Sequence, residues 1–365
     1  MHDLIIVGGG PAGASAAISA ARGGARVVLL ERGRFPRHKV CGEFVSAESL
    51  GLLTDLLDAQ HADLLRDAVQ ISRARVFLDG RVVQAAVDPA AASISRLDLD
   101  AALWTSAENA GVDARQHVTV HNVAGSGPFQ VSTTDGEFES RALVNASGRW
   151  SNLNRPPDGD GTRREKWLGI KAHFAEEPSS QSVDLYFFEG GYCGVQPVSL
   201  SRDNTSTGRV NTSAMVRADV ASTLPDVFAQ HPALRERSRN WTALSDPVST
   251  SPLIFRHPQP ARQGVLMVGD AAGFVDPFVG DGISLALRSG SLASRCLAPF
   301  FAGETSLAGA TARYREIYQQ SLLPVFRASS RLRKMLFLPG SVRRPLLFLL
   351  EISPAIGRYL VRKTR

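Results

Sequence analysis

The residue types and spacings best suited to chemistry lie in Gly264 to Gly290, GVLMVGDAAGFVDPFVGDGISLALRSG. Gly264 to Val268 reads as a short apolar strand of the kind that parallel sheets bury on both faces. Gly269-Asp270 ends it with a carboxylate at the C-terminal edge, where open α/β sheets bind ligands. Pro277 and Gly280-Asp281-Gly282 then make a loop with few side chains, against which a flat ring can lie. The helix expected from about Ile283 turns its N-terminal N–H groups and positive dipole end toward that loop. Asp281 fits the N-cap, accepting an N–H near Ser284. A carboxylate for a sugar-like hydroxyl, a bare loop for a ring and a helix end for negative charge describe a flavin-type site.

A second set opens the chain. Leu4 to Val7 reads as a strand, followed by Gly8-x-Gly10-x-x-Gly13, with Pro11 and Ala12 inside the motif. Gly8 allows the tight turn, Gly10 lets backbone approach a pyrophosphate, and Gly13 lets the following helix pack on the strand. The strand from Ala25 ends at Glu31, 21 residues beyond Gly10, the usual spacing for a carboxylate that holds ribose hydroxyls. The basic segment Arg32 to Glu43 is too polar and too broken by proline to be core. It offers Arg32 and Arg34 to a nucleotide, and Lys39 to Gly42, with Cys41, to the active-site edge. Arg96 starts a helix from which it reaches a phosphate or ribityl chain. Asn145 to Ser151 ends a strand in small residues, Ala146 and Gly148 among them, as where a chain passes close to an adenosine or pyrophosphate.

These residues need elements to hold them. The chain has 365 residues, 44% hydrophobic and 21% charged, enough for one large or two intimate domains. The expected fold class is α/β: a Rossmann-like dinucleotide-binding domain, FAD-binding on the resemblance described below, with an inserted antiparallel β-sheet substrate domain and a C-terminal helical segment. The expected division is 1–70, 90–160 and 259–300 for the first, 71–89 and 161–258 for the second, and 301–365 for the basic helical end. Ser46 to Leu65 reads as an amphipathic helix. Hairpins are expected at Arg75–Val83 and Phe129–Val144, each around Asp-Gly. Strands are expected near 168–174, 183–188, 192–198, 209–216 and 248–255, with a helical insert near 219–239 and a helix from Tyr314 to Leu336. Phe187, Phe188, Tyr192 and Phe255 line a pocket or fill core.

Three scattered cysteines exclude a disulfide framework, and no metal site is expected, because the eight histidines show no HxH spacing and the one HxxxH pair, His117 and His121, stands apart in the sequence from every cysteine and every other histidine. His173 and His257 are candidate acid–base groups beside the plainer reading of structural histidines. A lone Cys41 reads as a small hydrophobe. The cysteine usage and a start with no signal peptide point to a cytoplasmic protein. Residues 327–365 hold ten Lys/Arg against Glu351 alone, leaving 31 basic and 34 acidic residues elsewhere. With Leu346 to Leu350, that end suits either peripheral contact with an anionic membrane or a packed helical pair with a basic face. Nucleic acid is not an expected partner.

Three separated motifs, GxGxxG with Glu31, RxPRxKxCGE at 34–43 and GDAAGFVDPFVGDG at 269–282, together resemble the FAD-dependent oxidoreductases of the geranylgeranyl reductase family, within the p-hydroxybenzoate-hydroxylase-type flavoprotein monooxygenase superfamily. The resemblance covers about residues 1–300. It implies FAD, with Gly8, Gly10 and Gly13 on the pyrophosphate, Glu31 on the adenosine ribose and Arg96 at the ribityl–phosphate region. Asp270 would bind the ribityl chain and pyrophosphate. Pro277 and Gly280, Gly282 and Ile283 would border the ring. Cys41 matches the family's cysteine near the flavin, and Tyr192 joins Cys41 and Pro277 as a candidate beside the ring. The chain departs from the pattern in two places. Ala146-Ser147-Gly148 replaces the hydroxylases' Ala-Asp-Gly, and the reductases' YxWxFP appears only as Tyr192 to Pro197.

The expectation is an FAD-dependent oxidoreductase acting on a lipophilic aromatic, polyketide or isoprenoid compound, with NAD(P)H as reductant. The degraded reductase motif tilts this toward hydroxylation. A carbon–carbon double-bond reductase is the alternative, a non-catalytic flavin electron-transfer protein is an answer of another class, and a purely NAD-linked dehydrogenase is a third.

Overall fold

The computed structural model describes residues 1–149, 153, 166–177, 180–199, 208–253, 255, 257–277 and 280–336. The expected Leu346–Leu350 stretch, Arg343, Arg344 and the last basic residues lie outside them, as do Trp150 and Ser151.

Two sheets carry the α/β fold. In the first, His2–Val7 lies between Val27–Leu30 and the C-terminal half of Gly136–Asn145, parallel to both. Asp113–Arg115 extends one side, and Val265–Met267 the other. The first half of Gly136–Asn145 turns back on Phe129–Thr133 in an antiparallel hairpin. Residues Leu4, Ile5, Ile6, Val28 and Leu29 have no exposed surface, as strands covered on both faces must. The chain leaves His2–Val7 toward one neighbour and returns on the other, so the C-terminal ends of His2–Val7 and Gly136–Asn145 flank a switch point, where such sheets bind ligands.

One face is covered by the helices Pro11–Arg22 and Gly282–Phe301, pressed together by small residues. A Cβ on Gly290 would come 2.2 Å from the Ala12 carbonyl oxygen. The Arg96–Asn109 helix, N-capped by Ser95 onto the Leu97 amide, adds Leu99, Leu103 and Trp104 to that core. The C-terminal helices Leu307–Ser321 and Leu323–Leu336 replace the single helix expected from Tyr314, with Leu322 between them.

The second sheet is mixed. Trp167–Ala175, Arg209–Arg217, Gly191–Pro197 and Ser182–Phe188 run antiparallel in that spatial order. Val69–Leu78 then adds parallel to Ser182–Phe188 and carries the long hairpin to Arg81–Ser93. Asp79 and Gly80, with φ of 55° and 75°, make the expected two-residue turn.

Three further expectations change. Val248–Phe255 is a strand only over Val248–Thr250, because Pro252 has no N–H to continue a ladder. The expected helix over Ser46–Leu65 is broken at Leu57, whose ψ of 148° is extended, into Leu50–Leu56 and shorter turns. The insert near 219–239 is two short helices, Leu224–Ala229 and Pro232–Arg237. No helix among the described residues is long and apolar enough to cross a membrane.

Candidate functional site

Gly8 ends the first strand with φ 105°, and a Cβ there would fall 2.4 Å from the Ala146 carbonyl oxygen. Gly13 is equally committed, its Cβ position lying 1.8 Å from the Gly8 oxygen. Gly10 is open, with nothing nearer to its Cβ position than the Arg96 Nη2 at 3.9 Å. The Pro11–Arg22 helix starts there with no side-chain cap on its amides. A guanidinium, bare backbone and a helix N-terminus thus converge on one point, as anion binding requires.

Glu31 is buried beside this loop. It accepts from the Gly9 amide at 2.9 Å, the Gly33 amide at 2.8 Å and Arg37 Nη1 at 2.8 Å. Burial opposes its ionisation, but Arg37 and the two amides outweigh that and bring its carboxyl to about 2. Arg37 is held over the Phe35 ring at 4.7 Å, while Arg34 is exposed.

One cavity of about 1010 Å³ joins these residues to the third motif. Its lining takes Gly8, Gly10, Pro11 and Ala12 from the first loop, and Glu31, Arg32, Cys41 and Gly42 from the segment after it. Arg96, Ala146, Gly148 and Tyr192 follow, and Gly269, Asp270, Pro277, Gly280, Gly282 and Ile283 close it. Two expected residues stand apart. Gly13 packs helix on strand behind the wall, and Arg34 gives place to Arg37 on the lining.

Gly280 has φ 80°, and a Cβ there would strike the Phe44 ring at 2.8 Å, so that stretch of wall is backbone. Asp281 sits at the N-cap of the Gly282–Phe301 helix, but its side chain makes no cap bond. Ser284 Oγ instead pairs with Ser46 Oγ at 2.7 Å, joining the helix start to the segment after Cys41. Asp270 lies deep in the molecule, its side chain 38% exposed because it faces the cavity. Burial raises its carboxyl, against the pull of Arg149, whose Nε is 3.5 Å away.

A family model for the FAD binding domain matches residues 1–319. The chain belongs to that family. It is an FAD-dependent oxidoreductase. Menaquinone reductase of Mycobacterium tuberculosis is 27% identical over 81% of this chain and 76% of its own length. Digeranylgeranylglycerophospholipid reductase 2 of Methanopyrus kandleri is 25% identical over 91% of this chain and 86% of its own length. Conditioned medium factor receptor 1 of Dictyostelium discoideum is 25% identical over 82% of this chain, which spans 64% of the receptor's length. Among solved structures, the flavin-dependent brominase Bmp2 superposes with a TM-score of 0.77 at 20% identity, covering 99% of this chain and 98% of that one.

The residues present fit FAD. The glycine loop and helix start suit a pyrophosphate, and Arg96 adds a fixed positive charge. That charge is secured by Asp100, which accepts from Arg96 Nε at 2.6 Å and Nη2 at 2.7 Å. Glu31 keeps acceptor capacity for a ribose hydroxyl, since an ionised carboxylate offers about four lone-pair positions. The bare wall at Gly280 and Gly282 suits a ring.

Sequence reasoning missed the group behind Cys41. Glu43 is fully buried in a left-handed conformation, φ 61°. Its carboxylate accepts from Lys171 Nζ, from His173 Nε2 at 2.7 Å and from the Arg96 amide at 2.8 Å. Burial opposes its charge, but Lys171 and His173 bring the carboxyl to about 2. His173, one of two candidate acid–base histidines, is therefore a structural partner, and the other, His257, is exposed with Nδ1 3.2 Å from the Pro258 oxygen. No cluster of metal-ligating side chains occurs among the described residues.

Proposed function

We propose that this FAD-dependent oxidoreductase reduces a carbon–carbon double bond of a lipophilic isoprenoid or quinone compound, with NAD(P)H as the source of electrons. When bound, FAD supplies two-electron hydride chemistry. Saturating a double bond also needs a proton at the neighbouring carbon, and the observation that carries the reading is that two groups able to supply one, the Cys41 thiol and the Tyr192 phenol, line the cavity. Both are ordinarily protonated at neutral pH, and burial moves each further in that direction. Beyond Tyr192 the wall continues through Met215, Leu253 and Phe274, an apolar surface for an isoprenoid chain. Reductases among its relatives, named for menaquinone and for a digeranylgeranyl lipid, support the same substrate class. In this reading the chain divides as its sheets do, with the first sheet holding FAD and the second facing substrate. The basic C-terminal residues would bring the enzyme to an anionic membrane, where such substrates reside.

Hydroxylation, toward which the sequence tilts, is the second reading. Gly194 and Gln196 stand where the reductase pattern has Trp and Phe, and buried Gln196 donates to Ser93 Oγ at 2.7 Å, a polar contact in place of an aromatic wall.

The test is to reduce the FAD-loaded protein with NADPH without oxygen and then add menaquinone or a polyprenyl compound. Anaerobic reoxidation of the flavin with a saturated product is expected. Substrate-dependent oxygen uptake, with no anaerobic reoxidation, overturns the proposal in favour of the hydroxylase.

A further inference from the structure

The face of the second sheet behind Cys41 is polar where a buried sheet face is ordinarily apolar. His173, Asn211 and Gln196 lie in register across three neighbouring antiparallel strands, and Lys171 is two residues along from His173 on the same face. All four are 2% exposed or less. Such groups are costly to bury unless each holds a partner.

Lys171 and His173 hold the Glu43 carboxylate, as described. Asn211 holds the two residues before it. Its Nδ2 donates to the Cys41 carbonyl at 3.1 Å and to the Gly42 carbonyl at 2.9 Å. Its Oδ1 is buried with no partner among the described residues, so the two carbonyls fix which way the amide points. Glu43 closes the segment from the other end, donating its amide to Cys41 Sγ at 3.3 Å and accepting the Ile94 amide at 3.0 Å.

A consequence follows from peptide geometry. In a trans peptide the C=O and the next N–H point in opposite directions. The Cys41 carbonyl is turned to Asn211 at the sheet, so the Gly42 N–H points away from the sheet. Cys41 and Gly42 both line the cavity. The Gly42 N–H donates to no group among the described residues. We propose that Asn211 is a positioning residue that turns the Gly42 amide into the cavity as a donor to the ring of bound flavin, with Glu43, Lys171 and His173 locking the segment in that pose. Negative charge gathers on a flavin ring when it is reduced, so a fixed donor holds the reduced form more tightly than the oxidised one. Asn211 lies outside the cavity lining and acts through the peptide it orients.

The inference rests on flavin occupying the cavity and is indifferent to whether oxygen or a double bond takes the electrons. Asn211→Leu removes both donors at similar volume, and Asn211→Asp puts an acceptor against two carbonyls. Each is expected to hold reduced flavin about tenfold less tightly relative to oxidised flavin, which is a midpoint potential lower by about 30 mV for a two-electron couple. A shift in the visible flavin bands should accompany it. Potentials and spectra matching wild type in folded Asn211 variants overturn the proposal. Hydrogen exchange at the Gly42 amide of the wild-type protein reads the same point without any substitution. Fast exchange without FAD and slow exchange with it supports the donor, and an amide already protected without FAD overturns it. Wild-type protein that takes up no FAD at all would strike at the cofactor reading, leaving fast exchange at Gly42 to report on the clamp alone.

Discussion

Glu31 and Arg37 tie the acid stability of the protein to its nucleotide pocket. The folded carboxyl titrates near 2 against an ordinary 4.5. A depressed carboxyl contributes stability that is fully present above about 4.5 and is lost as pH falls toward 2. For a shift of that size the contribution is about 3 kcal/mol. Urea unfolding at pH 7 and pH 3 should therefore show a large drop, shared with Glu43, whose carboxyl is lowered to about 2 in the same way. In Arg37→Met the burial penalty remains and its main counterweight is gone, so the acid loss of stability should begin at higher pH. Glu31→Gln should weaken FAD binding roughly 10- to 100-fold, the scale of a hydrogen bond to a charged group, measured by flavin fluorescence titration. Glu31 itself was legible from its distance to Gly10. The choice of Arg37 over Arg34 was not, because it depends on the turn that lays Arg37 over Phe35, where the Phe35 amide is held by Gln116 at 2.8 Å. Lys171 and Asn211 were invisible for a different reason. They lie 128 and 169 residues from the residues they hold, and only strand register brings them there.

At the scale of elements, the pair Pro11–Arg22 and Gly282–Phe301 decides whether the first and third motifs share one cavity. Gly290→Ala would press a methyl group into the Ala12 backbone. Overpacking of this kind costs about 1–3 kcal/mol, and FAD affinity should fall with the melting temperature, since both motifs move. Tyr314 gives a milder test. Its buried hydroxyl donates to the Met267 carbonyl at 2.8 Å, pinning the strand before Asp270 to the Leu307–Ser321 helix. Tyr314→Phe should lose about 1 kcal/mol of stability in denaturant titration, with little change in FAD affinity. The helices and hairpins that begin or turn on clear capping and Asp-Gly signals were readable in advance. The breaks at Leu57 and Thr250 were not, because the first is set by backbone direction and the second by a proline that ends pairing without ending contact: the Leu253 amide still reaches the Trp167 carbonyl at 3.0 Å.

For the whole molecule, charge is the first lever. Residues 337–365 carry six Lys/Arg and one acid, so ending the chain at Leu336 lowers the net charge from +6 to +1. If that end serves membrane contact, the shortened protein should lose sedimentation with anionic vesicles while keeping FAD, and unchanged sedimentation would remove that role. The order of the first sheet carries a consequence for how the protein is made. The C-terminal end of Gly136–Asn145 has His2–Val7 on one side, but on the other, past its hairpin with Phe129–Thr133, it waits for Val265–Met267. At about 5–20 residues per second, a ribosome needs on the order of 10 s to make the intervening chain. Throughout that interval the nascent protein carries an unpaired apolar strand edge and an unfinished nucleotide crevice. Holding that edge apart from other chains until Met267 emerges is a task for whatever meets the polypeptide at the exit tunnel, and cofactor loading cannot be completed before it ends.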